Sequence, residues 1–411
     1  MTIERVIKLR YLLVGLLYER SKEKELIKLN GHGIQPQVNQ YQWGLIDGIN
    51  IQLEKKIDII ASIPMGSFPK NSKKFLVKKN LIKSEYGVGY IGFINFYIVR
   101  ERIRQHLFYK KIKEYIESCD DKVTILVYSL YHPFMKVIKK LKKKYGDKIN
   151  ISLIVPDLVG KYGIRHKDIL KRLFYDRYAN NQLKMSKYAD SYVLLTEQMK
   201  EILDIGEKPY VICEGFLPNI DDEKLKDNKV YNKKIVLYTG SLNPVFGIVD
   251  LMEQFSHIAN DNCELWICGQ ECWASTIKDY GKKDNRIKYK GFLPKTEILK
   301  LQQSASILVN PRKNDGEYTK YSFPSKTLEY MVSGTPVLMY KLDGIPDEYD
   351  KFIYYADENC DEPLKVKLEE ILSKSPEELE MFGEKAKKFV LENKNNIHQA
   401  KKIISMTNLS D

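Results

Sequence analysis

The stretch "YSFPSKTLEYMVSGTPVLMY" runs from Tyr321 to Tyr340. Pro324 suits the first turn of a helix, and Ser325 or Ser322 stands where a cap belongs. Leu328, Met331 and Val332 fall on one helical face, and Gly334 supplies a stop. "PVLMY" (Pro336–Tyr340) is then a short apolar run, the pattern of a buried strand. The stretch therefore predicts a helix feeding a strand, one step of a parallel α/β sheet. Its polar letters, Ser325, Lys326, Thr327 and Glu329, occupy the first turns of that helix. A helix start offers backbone N–H groups and positive potential to a phosphate. Lys326 adds a cation, and Glu329 can accept hydrogen bonds from vicinal hydroxyls such as those of a ribose. A nucleoside diphosphate cradle is one reading. A helix start with solvated polar residues is the other.

The same rhythm extends in both directions. "YLLVGLLY" (Tyr11–Tyr18), "IDIIASI" (Ile57–Ile63), "VTILVYS" (Val123–Ser129), "INISLIVPD" (Ile149–Asp157) and "SYVLLT" (Ser191–Thr196) read as strands. Between them, Val38, Leu45, Ile46 and Ile49, and later Phe134, Val137, Ile138 and Leu141, recur at helical spacing. After the polar segment "IDDEKLKDNKVYN" the pattern restarts with "IVLYTG", "CELWICG", "IKYKGFL" and "ASILVNP". A chain of 411 residues exceeds one ordinary core. The expected architecture is two doubly wound, Rossmann-like parallel sheets facing across a cleft, followed by C-terminal helices. The boundary is placed at 222/223, the second domain at 223–390, and residues 391–411 as a helix packing back on the first. "SPEELE" begins the tail with a capping box, Ser375 to Glu378, and Pro376 at the first helical position.

Lys and Arg number 67 against 54 Asp and Glu, a formal charge of +13. That balance favours anionic partners such as nucleotides, phosphates or anionic lipid, and equally fits a solvated lysine-rich surface. The six cysteines are scattered, and Cys268 and Cys272 lack a second pair at metal spacing, so reduced structural thiols are expected. The N-terminal apolar run is too short to span a bilayer, which needs about 20 apolar residues. The expected location is the cytoplasm, peripheral on the inner face of the membrane.

The segment "YKGFLPKTEILKLQQSAS…ILVNPR…YSFPSKTLEYMVSGTPV" resembles the donor domain of the GT-B glycosyltransferases, specifically the large retaining family 4. "TGSLNPVFG", "KGFL", "VNPR" and "LEYMVSGTPV" follow in that family's order over about 110 residues, with weaker likeness in the N-terminal half. The resemblance implies transfer of a sugar from a nucleotide-diphosphate sugar, a UDP-sugar foremost, to a glycan or lipid-linked acceptor in polysaccharide biosynthesis, with no cofactor beyond that substrate. It places Gly240, Ser241 and Phe292 in donor-facing loops. Glu329 matches the second glutamate of the family's E-x7-E pair, the ribose ligand. Tyr321 stands where the first should be, with Glu317 or Asp315 as substitutes. The family's two diphosphate-binding cations fall on Ser241 and Phe246 here, so Arg312 and Lys326 are the expected replacements. The chain has no Asp-x-Asp pair, and no metal is implied.

The acceptor half is harder to read. "NGHGIQPQ" (Asn30–Gln37) resembles the flexible glycine loop, with Gly31 and Gly33 allowing close backbone approach. Asp157 and His132 close strands and are the candidate contacts to the reacting sugar, each also explicable as an ordinary turn or surface residue. Six lysines from Lys136 to Lys144, and the aromatic and basic stretch containing Phe93, Phe96, Phe108, Arg104, Lys110 and Lys111, are candidates for an anionic membrane surface. Core packing is the competing reading of those aromatics. Two further functions compete. A nucleotide-sugar 2-epimerase on the same fold needs several acidic and histidine residues, and only six histidines exist. A nucleic-acid-binding protein lacks any recognisable motif, so no nucleic-acid partner is expected.

Overall fold

A computed structural model describes residues 10–29, 34–78, 88–158, 169–217, 232–270 and 273–409. The chain divides into two units, Met1–Phe216 with Asn396–Asp411, and Leu217–Asn395. The boundary expected at 222/223 lies outside the described residues.

In the first unit the strands are β1 (Arg10–Leu16), β2 (Asp58–Ser62), β3 (Leu76–Val77), β4 (Val88–Tyr90), β5 (Phe93–Ile94), β6 (Val123–Tyr128), β7 (Ile149–Val155), β8 (Ser191–Leu194) and β9 (Tyr210–Ile212). Seven of them form one parallel sheet in the order β4-β2-β1-β6-β7-β8-β9. β6 and β7 are buried along their whole length, Thr124, Asn150 and Ser152 included, as strands covered on both faces are. The helices are α1 (Glu23–Leu29), α2 (Pro36–Gln52), α3 (Tyr97–Glu117), α4 (His132–Tyr145), α5 (Ile169–Ser186) and α6 (Met199–Leu203). Phe134, Val137, Ile138 and Leu141 of α4 are all buried, as their spacing predicts. β3 and β5 stand apart as a two-stranded antiparallel ribbon.

The second unit repeats the plan. Its strands are β10 (Lys234–Thr239), β11 (Cys263–Cys268), β12 (Ile287–Gly291), β13 (Ile307–Asn310), β14 (Val337–Tyr340) and β15 (Tyr354–Ala356), all parallel in the order β12-β11-β10-β13-β14-β15. Helices α7 (Ile248–Ser256), α8 (Ala274–Lys283), α9 (Lys295–Ser304), α10 (Ser325–Val332), α11 (Pro363–Ser373) and α12 (Pro376–Asn393) complete it. Leu251, Met252 and Phe255 of α7 and Leu364, Leu368 and Ile371 of α11 bury their apolar faces with the strands in one core. The capping box that opens α12 is formed in full, with Ser375 Oγ accepting from the Glu378 N–H and the Glu378 carboxylate accepting from the Ser375 N–H.

The last helix, α13 (Asn396–Leu409), belongs to the first unit. Ala400, Ile403 and Met406 join the core that holds Trp43, Leu45, Ile46 and Ile49 of α2. Asn396 Nδ2 donates to the Gly44 carbonyl at 3.0 Å, and the Tyr11 and Thr407 hydroxyls lie 2.7 Å apart.

Candidate functional site

In each sheet the strand order reverses direction once, between β1 and β6 in the first unit and between β10 and β13 in the second. Ligands of doubly wound sheets bind outside the carboxyl ends of the strands at such reversals.

In the second unit three strand-end loops meet backbone to backbone at that point. Gly247 has φ +80°, and a Cβ there would lie 2.0 Å from the Pro311 carbonyl oxygen just past β13. A Cβ on Gly269, just past β11, would lie 2.3 Å from the Gly240 carbonyl oxygen just past β10. Only glycine fits either place. The intervening loop is held by Tyr238, whose hydroxyl donates to the Ser241 carbonyl at 2.6 Å, and the Ser241 side chain itself is exposed.

Arg312 follows β13 and is only 8% exposed. Its Nη2 donates to Ser322 Oγ at 2.9 Å, its guanidinium lies 4.6 Å over the Tyr318 ring, and its Nε is buried without a partner. Among the described residues it forms no ion pair, so a surface salt bridge does not account for it. The bond to Ser322 also ties the end of β13 to the entry of α10. Neither serine caps that helix, contrary to the expectation: Pro324 holds the N-cap position, and no side chain caps the first N–H groups. Ser322 is already engaged by Arg312, while Ser325 is the first helical residue and exposed.

Glu329, one turn into α10, is positioned from two sides. Gln302 of α9 is fully buried, and its Nε2 donates to Glu329 Oε1 at 2.9 Å and to Thr239 Oγ1 at 3.0 Å. A carboxylate only accepts, so the amide nitrogen must face it. Lys326 Nζ donates to the same Oε1 at 2.7 Å. Glu329 Oε2 makes no hydrogen bond among the described residues. Tyr330 locks the helix to β10: its hydroxyl donates to the Thr239 carbonyl and accepts from the Thr239 N–H, both at 2.9 Å. Burial pushes the Tyr330 phenol above its ordinary pKa, so it stays protonated and keeps both bonds.

Lys326 is thus not the free cation expected from the sequence, because it pairs with the carboxylate one turn on. Such an i,i+3 pair is worth only about 0.2–0.5 kcal/mol, so a phosphate can compete for the ammonium. Thr327 is corrected more firmly. Its side chain is fully buried with Oγ1 3.9 Å from Met339 Sδ, and its N–H donates to the Pro324 carbonyl, so it faces the core and offers a ligand nothing. Phe292, 69% exposed, follows β12. Glu317 opens a 3-10 turn that ends at Tyr321, and both Glu317 and Asp315 are exposed. Among the described residues no three His, Cys, Asp or Glu side chains cluster to hold a metal ion.

In the first unit, Gly31, His32 and Gly33 of the glycine loop lie outside the described residues. His132 and Asp157 follow the adjacent strands β6 and β7. His132 opens α4, its ring 5.0 Å from that of Tyr178, with Nδ1 buried and unpartnered. Burial and the neighbouring Lys136 hold the imidazole below its ordinary pKa, so it is neutral near pH 7. Just before it, Ser129 adopts φ +75°, an uncommon conformation for a side-chain-bearing residue.

Arg104 is withdrawn from the membrane-facing residues expected in the stretch from Phe93 to Lys111. Its guanidinium is buried, donating to the Ile63 carbonyl at 2.6 Å and the Tyr131 hydroxyl at 3.2 Å, with Phe93 beneath it at 3.9 Å. Burial lowers its pKa to about 9. Phe93 and Phe108 are core residues, so the inward face of α3 belongs to the fold.

Residues 219–389 match the family model described as Glycosyl transferases group 1, which spans nearly all of the second unit. No curated protein matches the chain. Among solved structures, sucrose-phosphate synthase from Thermosynechococcus elongatus is 16% identical with a TM-score of 0.62, covering 98% of this chain and 100% of that one. The Anabaena protein HepE, solved in complex with UDP, is 11% identical with a TM-score of 0.60 and covers 98% and 100%. The lipopolysaccharide outer core galactosyltransferase WaaB is 14% identical with a TM-score of 0.60 and covers 98% and 99%. Residues 219–389 thus match the group 1 glycosyltransferase family, and the whole chain shares the two-sheet GT-B fold of these solved structures.

Proposed function

We propose that the chain moves a sugar, with retention, from a UDP-sugar to a glycan or lipid-linked saccharide in polysaccharide biosynthesis at the inner face of a membrane. The observation that carries the donor half is Arg312. A nearly buried guanidinium without a carboxylate partner is costly unless an anion completes it. It sits where the second sheet reverses, tied through Ser322 to a helix start that no side chain caps. A diphosphate supplies the missing charge. Glu329 Oε2 is open to the ribose hydroxyls while Gln302 and Lys326 hold Oε1.

These groups also serve the chemistry. As the bond from sugar to diphosphate breaks, negative charge grows on the leaving oxygens. Arg312, the α10 N–H groups and a Lys326 drawn off Glu329 stabilise it, being fixed donors that need little reorganisation. In the first unit, neutral His132 and Asp157 are assigned to the acceptor or the reacting sugar. The UDP complex of the Anabaena neighbour supports the choice of nucleotide, and the lipopolysaccharide neighbour supports the choice of pathway.

A thermal-shift series with UDP-, GDP- and dTDP-sugars tests the donor, since a ligand that binds only the folded state raises the midpoint. The expected result is stabilisation by UDP-sugars above the others, with UDP released faster when a lipid-linked saccharide is added. No stabilisation by any nucleotide sugar would defeat the reading.

A further inference from the structure

The ribbon of β3 and β5 presents an apolar surface that stays exposed among the described residues. Phe75 and Leu76 are each 51% exposed, and Ile94 and Phe96 are exposed as well. Leu76 and Ile94 are cross-strand partners, and the Asn95 N–H donates to the Phe75 carbonyl. Beside them opens a cavity of 580 Å³, lined by Leu76, Val77, Phe93, Ile94, Ile103 and Leu107. That size suits a ligand, since binding pockets run from roughly 300 to 1,000 Å³.

Lysines outnumber acidic residues around this patch. Lys78 and Lys110 line the cavity, and Lys73 and Lys74 lead into the ribbon. All four are exposed and form no ion pair among the described residues. Glu114, the acidic lining residue, is engaged by Lys111 at 2.9 Å. The lysines of α4 are partly spent by comparison: Lys142 pairs with Asp190 at 2.8 Å and Lys144 with Glu117 at 3.2 Å. An apolar patch ringed by unpaired cations matches an anionic bilayer, which offers hydrocarbon and phosphate together.

We infer that the β3–β5 ribbon is the membrane-docking surface of this protein, with Phe75, Leu76, Ile94 and Phe96 entering the monolayer and one acyl chain of an anionic phospholipid lying in the cavity. No helix among the described residues is long and apolar enough to cross a membrane, so attachment of this kind is reversible. The inference deepens the membrane part of the proposal above and rests on it. It is tested without donor or acceptor, so its failure leaves the nucleotide assignment standing.

Vesicles of phosphatidylcholine with a third of phosphatidylglycerol should co-sediment the full chain, and pure phosphatidylcholine vesicles should not. Leu76→Glu/Ile94→Glu should abolish sedimentation. Lys78→Glu/Lys110→Glu should lower partitioning at least about twentyfold, each cation near such a surface being worth roughly fivefold. All four side chains are solvent-facing, and an unchanged circular dichroism melt verifies folding. In a Leu107→Trp chain, phosphatidylglycerol brominated on its acyl chains should quench the added fluorescence. Equal binding to both vesicle types, or undiminished binding by both double variants, overturns the docking surface. Absence of quenching overturns the acyl chain in the cavity. Failure to bind vesicles, with Leu76→Glu/Ile94→Glu dissociating a dimer in the ultracentrifuge, overturns it in favour of a contact between copies.

Discussion

The two sheet reversals are built alike and furnished differently. In the second unit, a polar chain runs from buried Thr239 and Gln302 out to the partly exposed Glu329 and Lys326, and nearly buried Arg312 forms no ion pair among the described residues. In the first unit the equivalent strand ends carry a strained serine and a neutral histidine, and an arginine of α3 is engaged by the Ile63 carbonyl and Tyr131. That reversal is held by the fold's own hydrogen bonds, with His132 Nδ1 and Arg104 Nε buried and unpartnered.

That contrast can be broken by substitution. The largest expected effect is Glu329→Ala, which removes the ribose acceptor and strands Gln302 Nε2. UDP affinity should fall about a hundredfold by calorimetry, two charged hydrogen bonds being worth roughly 3 kcal/mol together. Gly247→Ala comes next: with φ +80° and Pro311 oxygen in the way, it should lower unfolding stability by about 2–3 kcal/mol in a denaturant titration. Gln302→Leu should weaken UDP about tenfold, the cost of one buried hydrogen bond to a charged group, while the fold persists. Unchanged affinity there would mean that Glu329 needs no positioning. His132→Gln should leave UDP binding untouched and lower only transfer, since it sits in the other unit.

His132 also gives the smallest effect, one of pH. Its folded pKa lies below the unfolded value near 6.5, so the unfolded chain binds the extra proton first. Stability is therefore intact above about pH 6.5 and falls as the pH drops below it. His132→Gln should flatten that decline in a series of melts.

Much of this was legible in the letters. Short β-branched runs and helical spacing predicted the two parallel sheets, because strands buried on both faces leave a mostly apolar trace. The start of α10 was readable from Pro324 and the spacing of Leu328, Met331 and Val332. Gln302 was not, since one amide among "KLQQSAS" carries no sign of which way it points. Nor was the Lys326–Glu329 pair, although i,i+3 spacing allows it. The ribbon of β3 and β5 was missed because strands of two residues leave no period to detect. Arg104 was misread because a cation in an amphipathic stretch looks solvated until the helix is turned.

The central claim is that a diphosphate completes Arg312. Its most direct test is calorimetric titration of UDP and of uridine into the native chain and Arg312→Ala. The account predicts that the variant loses UDP affinity by at least about tenfold while uridine binds as before, because only the diphosphate meets the guanidinium. Equal losses for both ligands, or no loss for either, would contradict it.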